Sequence, residues 1–434
     1  MVRNMKELSP RVLYVSHDDS SATYQSITKA SEVAGDGDQI IVGPGTYSSK
    51  FTNDEKKEKF PIYIPPHCQL IGSGADTCKI DGKGAMKTAS RPVNPYECLI
   101  LLGDETSLSG FTILNSGANG VSNEQGARIL LSNNVLRDNG QHGLLIFGTN
   151  NAVIQKNQFT NNGTKKEKYR PPRSTTAGRQ GHQIFIESRI DAKNNVIIID
   201  NIMNKTFADG IAIDIFDQPD GAEMHVQVIG NTISNCGRNG FSMAGSYGPS
   251  NSNVFIEIRN NQILKTTKTA IDLQSAYSLI FRTISNSKMF MNIVENEIKD
   301  CNLGIDAYGA FSPSQNCYLK CNIIGNNITQ TKDYGIRAIG GYGMDDWPVE
   351  GTRFDATIAN NKIHKTGNTA IFVQGGSVFE SNAKLVRNNE LFLHIIGNQV
   401  GKPEQIIVND GLPTNHVIVL EKSQPHKRVV KNIP

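Results

Sequence analysis

Six side chains that carry charge or exchange protons fall at one of two fixed offsets in this chain: Glu187, Asp214, Asp272, Asp306, Tyr308 and Arg337. Each stands second or fourth after the residue that opens a short alternating segment, such as GIAI from Gly210, AIDL from Ala270 and GIDA from Gly304. Read as strands, these segments send their first and third following residues inward and their second and fourth outward. The first outward column is then Leu145, Phe185, Ala212, Ser242, Asp272, Asp306, Arg337, Phe372. The second is Phe147, Glu187, Asp214, Ala244, Gln274, Tyr308, Ile339, Gln374. Both are apolar at the ends and polar in the middle.

Stacked strands lie about 4.8 Å apart, which sets Asp272 beside Asp306. Like charges that close raise one pKa, so a single residue type can supply both an acid and a base. Arg337, one strand further, could instead clamp both as a salt-bridge ladder, and the spacing leaves the two readings open. Loss of activity without loss of stability in Asp306→Ala would favour catalysis. Asp214 lies two strands below Asp272, roughly 10 Å by the same spacing, a gap that fits a sugar bond. The oxygens of Glu187, Asp214 and Asp272 are of the hard kind that suits Ca²⁺.

A strict repeat positions these residues. Asn201, Asn231, Asn261, Asn296, Asn326 and Asn361 stand 30, 30, 35, 30 and 35 residues apart. An apolar residue follows each by two (Met203, Ile233, Ile263, Ile298, Ile328, Ile363), and a small one by five (Thr206, Cys236, Thr266, Cys301, Thr331, Thr366). So many shared offsets mean one coil stacked on the next. The apolar period is two rather than three to four, which predicts strands. The shortest coil, Asn134 to Asn157, has 23 residues, room for three short strands and three turns. This describes an all-β parallel β-helix, in which each coil buries its inward residues against its neighbours. The Asn column reads as a side-chain ladder and the Cys/Thr column as small buried corner residues, so neither supplies a nucleophile.

The added length of later coils follows the leading strand. It takes 14 residues to reach the next Asn from Gly143, but 21 from Gly210 and 26 from Ala270. These inserts are expected to stack as loops beside the outward columns, bringing Tyr247, Tyr277, Phe311, Tyr342 and Trp347 to a substrate with Gln274. A further insert, residues 165–182, precedes its leading strand and would wall the opposite side with a basic rim and His182. His142 and His182 read as surface turn residues.

Forty Gly, 7% aromatic residues and 38% hydrophobic residues suit a turn-rich β protein with a narrow core. A net charge of +3 argues against a broad nucleic-acid surface, and no apolar run reaches membrane-spanning length. The opening MVRNMKELSPRV lacks an apolar signal region, and seven scattered cysteines suggest neither a disulfide framework nor a zinc site. The expectation is a cytoplasmic monomer. Residues 1–22 form a lead-in and 23–423 a single β-helix domain, capped by 23–47 with an amphipathic helix over 23–34. A basic tail occupies 424–434.

The runs QIIVGPGTY from Gln39, FPIYIPPHCQLIGSGADTCKIDGKG (60–84) and SLSGFTILNSG (107–117) resemble the opening of right-handed parallel β-helix proteins of the pectate-lyase-like superfamily. That group includes copper-accessory proteins of nitrous oxide reductase and bacterial carbohydrate-active β-helices. The resemblance implies the fold but not an activity, because lyases, hydrolases, epimerases and non-catalytic spikes share it. No Asn-Thr-Asp with the paired Asp and Arg-Ile-Lys of polygalacturonases is present, nor the Asp-Pro-His of alginate epimerases. RPPR (170–173) has the wrong spacing for the pectate-lyase arginines.

Three functions follow as expectations. The first is a carbohydrate lyase or hydrolase acting through Asp214, Asp272, Asp306, Tyr308 and Arg337. As a lyase it would use Tyr308 or Arg337 as base and Ca²⁺ to neutralise a uronate. The second is an acid–base enzyme on a small molecule, and the third a non-catalytic binding or structural β-helix.

Overall fold

The computed structural model describes residues 9–85, 94–163, 181–188, 194–215, 220–221, 223–246, 250–277, 283–310, 313–344, 348–379, 386–401, 406–409, 411, 415–421 and 427–428. Alternation of apolar and polar residues makes each coil a set of short strands, and every strand pairs with its equivalent in the next coil, in parallel. Among the described residues these strands form sheets of 14, 13 and 12 members that run from one end of the chain to the other. The leading strands make the 13-membered sheet, including Leu144–Phe147, Ile184–Ser188, Ile211–Ile215, Phe241–Ser246, Thr269–Tyr277, Leu303–Tyr308 and Ile336–Met344. Their inward residues, such as Ile211, Ile213, Ile271, Ile305 and Ile336, belong to one continuous apolar core. Gly210 opens its strand because a Cβ there would lie 2.4 Å from Ile233 Cγ2 and 2.7 Å from the Gly240 carbonyl oxygen.

The Asn column is the expected ladder. Asn231 Oδ1 accepts the backbone N–H of Asn201 at 2.9 Å and its Nδ2 at 3.0 Å. Its own Nδ2 donates to the carbonyls of Ile198 (2.9 Å) and Ile229 (3.0 Å), and its N–H passes to Asn261 Oδ1. The same pattern links Asn134 through Asn398. The residue before each ladder Asn has positive φ, including Asp200, Asn260, Lys156 and Glu295. This conformation costs a side-chain-bearing residue about 1 kcal/mol, so the ladder overrides local preference at Lys156 and Glu295. Asn231→Ala would leave the buried Asn201 N–H and Ile198 carbonyl without these partners. Each such loss costs about 1–3 kcal/mol, and urea unfolding is expected to show a loss of about 3–5 kcal/mol in total. A cost below about 1 kcal/mol would contradict this account of the ladder.

The N-terminal helix is Ile27–Val33, shorter than its apolar spacing suggests. Ser26 caps it, and the buried Glu58 carboxylate accepts the N–H groups of Ile27 and Thr28 at 2.8 Å each. All seven cysteines are buried and unpaired.

The inserts differ from the loops expected. The leading strands Thr269–Tyr277, Ile336–Met344 and Ile371–Phe379 extend to nine residues, carrying Tyr342 in a strand rather than a loop. Beyond them, Ile284–Ser285, Ser314–Gln315, Val349–Glu350 and Val386–Arg387 make a fourth parallel sheet. Stacked inserts of similar length satisfy their backbone groups by pairing with one another.

Candidate active site

The register forms both outward columns. Leu145, Phe185, Ala212, Ser242, Asp272, Asp306, Arg337 and Phe372 are successive lateral partners. In the second column Phe147 pairs with Glu187 and Glu187 with Asp214, while Ala244, Gln274, Tyr308, Ile339 and Gln374 continue it further on. The N-terminal part of the face is closed, with Leu145, Phe185 and Ala212 packed into a small separate core. Its polar middle divides into two groups.

Asp272 and Asp306 are direct neighbours, but their surroundings differ sharply. Asp306 is 4% exposed and accepts three donors. Arg337 Nε reaches its Oδ1 at 2.8 Å, Arg337 Nη2 donates to Oδ2, and the Tyr308 hydroxyl donates to Oδ2 at 2.8 Å. Arg337 Nη2 also donates to the Tyr308 oxygen. The Asp306 charge is thus matched by a two-pronged guanidinium, the strongest geometry for this pair.

Asp272 is half-buried and has only long contacts: Gln274 Nε2 at 3.4 Å from each oxygen and Asn239 Nδ2 at 3.5 Å from Oδ2. Burial first, then the negative charges of Asp306 and Asp209, push its carboxyl up to about 7. The two carboxyls are therefore held in opposite conditions, one anchored against a cation and one inclined to keep its proton.

Tyr308 and Arg337 do not suit the role of base. Burial, then the Asp306 charge, raises the Tyr308 hydroxyl well above its usual range, and its O–H already donates a hydrogen bond to Asp306. The Arg337 guanidinium is held more firmly charged, since its hydrogen bonds to Asp306 and that carboxylate's charge outweigh burial. Both serve to hold Asp306. Gln274, Tyr334, Arg337 and Tyr342 are half-buried, and of these Gln274 contacts Asp272 directly. Tyr342 packs edge-on against Tyr308 with ring centroids 5.1 Å apart, and Tyr334 lies 5.7 Å from the Arg337 guanidinium.

Glu187 and Asp214 make the second group, laterally paired and both buried. Asp272 is two coils from Asp214 and in the other column, so Glu187, Asp214 and Asp272 do not converge on one point. Among the described residues, no three His, Cys, Asp or Glu side chains come close enough to hold a metal ion.

His182 is not the surface residue expected from its place before a strand. It is fully buried, with its ring stacked 5.3 Å from His142 and 5.4 Å from Phe185. The reason is a second ladder, at the corner before the leading strands. His142 Nδ1 accepts the His182 N–H at 3.2 Å, and His182 Nδ1 accepts the Asp209 N–H at 3.2 Å. Asp209 Oδ1 then accepts the Asn239 N–H at 2.8 Å, and Asn239 Oδ1 the Thr269 N–H at 3.0 Å. Asp209 and Asn239, the latter in contact with Asp272, escape a reading by residue type because three kinds of rung (Asn, His and Asp) would have to be grouped. Their shared place, immediately before the residue that opens each leading strand, was the available signal. Tyr247, Phe311, Trp347 and residues 165–180 lie outside the described residues, as does the Tyr277 side chain.

A family model described as right handed beta helix region matches residues 97–283. Comparison with curated proteins finds no match. Among solved structures, the catalytic unit of a thermostable alpha-1,3-glucanase from Streptomyces thermodiastaticus is similar, with a TM-score of 0.52 and 16% identity. That match covers 86% of this chain and 64% of the glucanase unit, so the chain spans less than two thirds of it. An alginate lyase from a Paenibacillus species gives a TM-score of 0.43 at 13% identity, over 86% of this chain and 99% of that one. A surface adhesin of Streptococcus pneumoniae gives 0.40 at 12%, over 80% and 86%. The fold is a right-handed parallel β-helix. Among the described residues, no helix is long and apolar enough to cross a membrane.

Proposed function

We propose that this chain hydrolyses glycosidic bonds in a neutral glycan, with Asp272 as general acid and Asp306 as its partner carboxylate. The observation that carries the reading is the contrast between these lateral neighbours: Asp272 is pushed up to about 7, and Asp306 is anchored by Arg337 and Tyr308. A similar fold occurs in an alpha-1,3-glucanase, but fold alone does not name a reaction.

The chemistry balances on these two groups. Asp272 gives its proton to the glycosidic oxygen as the C–O bond breaks, and an Asp306 oxygen bonds to the anomeric carbon. Water then attacks that carbon, releasing Asp306, while the Asp272 carboxylate takes the water's proton. Lateral pairing sets the two backbones about 4.8 Å apart, and a carboxyl separation of about 5–5.5 Å would be that of glycosidases that retain anomeric configuration. Gln274 beside the acid offers an amide to a sugar ring, and Tyr342 and Tyr334, packed near Tyr308 and Arg337 two coils further on, offer aromatic surface. Asp214, two coils away, and its partner Glu187 belong to a neighbouring binding position.

Lyase chemistry is the weaker reading, because it needs a base and both Tyr308 and Arg337 are held in their protonated forms. A carboxylate-rich face also repels a uronate polymer. The test is incubation with neutral glucans, other neutral glycans and uronate polymers, following new reducing ends and unsaturated products. New reducing ends from a neutral glycan, with anomeric configuration retained by NMR, are expected. Unsaturated products from uronates alone would replace this reading with a lyase, and no turnover on any of them with a binding role.

A further inference from the structure

We propose that Asp209 is a positioning residue for Asp272, acting through Asn239 from the buried corner ladder behind the site. The proposal rests on the reading of Asp272 as the acid. Asp209 is fully buried, and its Oδ1 fixes the Asn239 backbone through a 2.8 Å hydrogen bond. Asn239 Oδ1 is occupied by the Thr269 N–H, so its amide can turn only its Nδ2 toward Asp272 Oδ2. An Asn at this corner therefore presents a donor to the acid, and the ladder decides which end of the amide faces it. The second contribution is charge. Asp209 lies two ladder steps before the Asp272 coil and Asp306 beside it, and both disfavour a negative Asp272.

The surroundings of Asp272 restrict what else sets its proton. The next coil contributes Asp306 and Tyr308, and the one after it Arg337 and Tyr342. The preceding coil contributes uncharged Ser242, its own strand Gln274, and the corner Asp209, Arg238 and Asn239. Arg238 Nε is 3.9 Å from Asp209 Oδ1 and opposes the effect of Asp209 on Asp272. Asp306 is neutralised by two hydrogen bonds from Arg337, whereas Asp209 meets Arg238 only at this longer distance. His182 Nδ1, 3.5 Å from Asp209 Oδ2, accepts the Asp209 N–H.

The test is Asp209→Asn, which keeps the Oδ1 acceptor. The ladder itself uses Asn at the equivalent corner positions 119 and 239, so the fold can carry the change. The Asp272 carboxyl is followed by carbon-13 NMR against pH, assigned by the resonance lost in Asp272→Asn. The midpoint is expected to fall by about one pH unit or more in Asp209→Asn. Asp209→Ser, which also removes the charge, is expected to lower it likewise and decides the matter should Asp209→Asn fail to fold. An unchanged midpoint in the folded Asp209 variant would overturn the proposal. These readings need no turnover. Full activity in Asp272→Asn would defeat the catalytic reading and leave the coupling of Asp209 to Asp272 standing.

Discussion

Asp272→Asn is expected to lower kcat by about 10²–10⁴-fold, the usual contribution of a positioned general acid. Asn keeps the shape of the carboxyl and its contact with Gln274 but has no proton to give at this site. In the unaltered protein kcat should fall as pH rises through about 7, because the acid form of Asp272 is then lost. The variant should show no such limb.

The stability sign is opposite to that of an ordinary paired carboxylate. Asp272 binds its proton near pH 7 when folded, whereas an unfolded Asp does so near about 4. Between these values the folded state holds more protons, so stability falls as pH rises across that window. Asp272→Asn removes this slope. Urea unfolding should therefore find the variant similar to the original near the acid end and more stable above pH 7. A gain on the order of 2 kcal/mol allows for the partial exposure of Asp272. A variant that is both inactive and strongly destabilised at pH 8 would mark Asp272 as structural instead.

Arg337→Ala is expected to cost about 3–5 kcal/mol, the range for removing one partner of a buried ion pair. The cost arises on the other side of the pair, since Asp306 and Tyr308 are only 4% and 5% exposed. Without the guanidinium, Asp306 keeps the Tyr308 hydroxyl but loses two charge-assisted donors. Replacing both partners at once, in Asp306→Asn with Arg337→Met, should recover much of the loss, because no buried charge is then left alone. Urea unfolding of the two variants checks this. A cost below about 1 kcal/mol for Arg337→Ala would place the pair in the class of solvent-screened surface bridges. Asp306→Ala is thus expected to lower stability as well as activity. Under the proposed function, the salt-bridge and catalytic readings left open by the spacing would fall on one residue.

The columns were legible in the sequence because they depend on one quantity, the offset from the residue that opens each leading strand. Ile211 and Ile213 face the core for the same reason that Asp272 and Gln274 face out, and stacking carries that parity from coil to coil. The Asn ladder was legible because one residue type recurs. The corner ladder was not, since Asn119, His142, His182, Asp209 and Asn239 share an acceptor position rather than a chemistry. His182 was misread on the same account, as its imidazole nitrogen does the work of an amide oxygen. Nor could spacing reveal that Arg337 turns to Asp306 and not to Asp272, or that the Tyr308 hydroxyl donates a hydrogen bond to the same carboxylate. Those depend on rotamers and burial. Tyr342 was expected on a loop wall beside the columns and lies instead in a strand, because equal inserts on successive coils pair as strands.

The most direct measurement is a crystal structure of Asp272→Asn soaked with neutral and uronate oligosaccharides. The account predicts a neutral sugar chain over Gln274, Tyr334 and Tyr342, with a glycosidic oxygen in hydrogen-bond reach of residue 272 and an anomeric carbon facing Asp306. A sugar bound elsewhere with this face empty, or a uronate held by Glu187 and Asp214 alone, would contradict it.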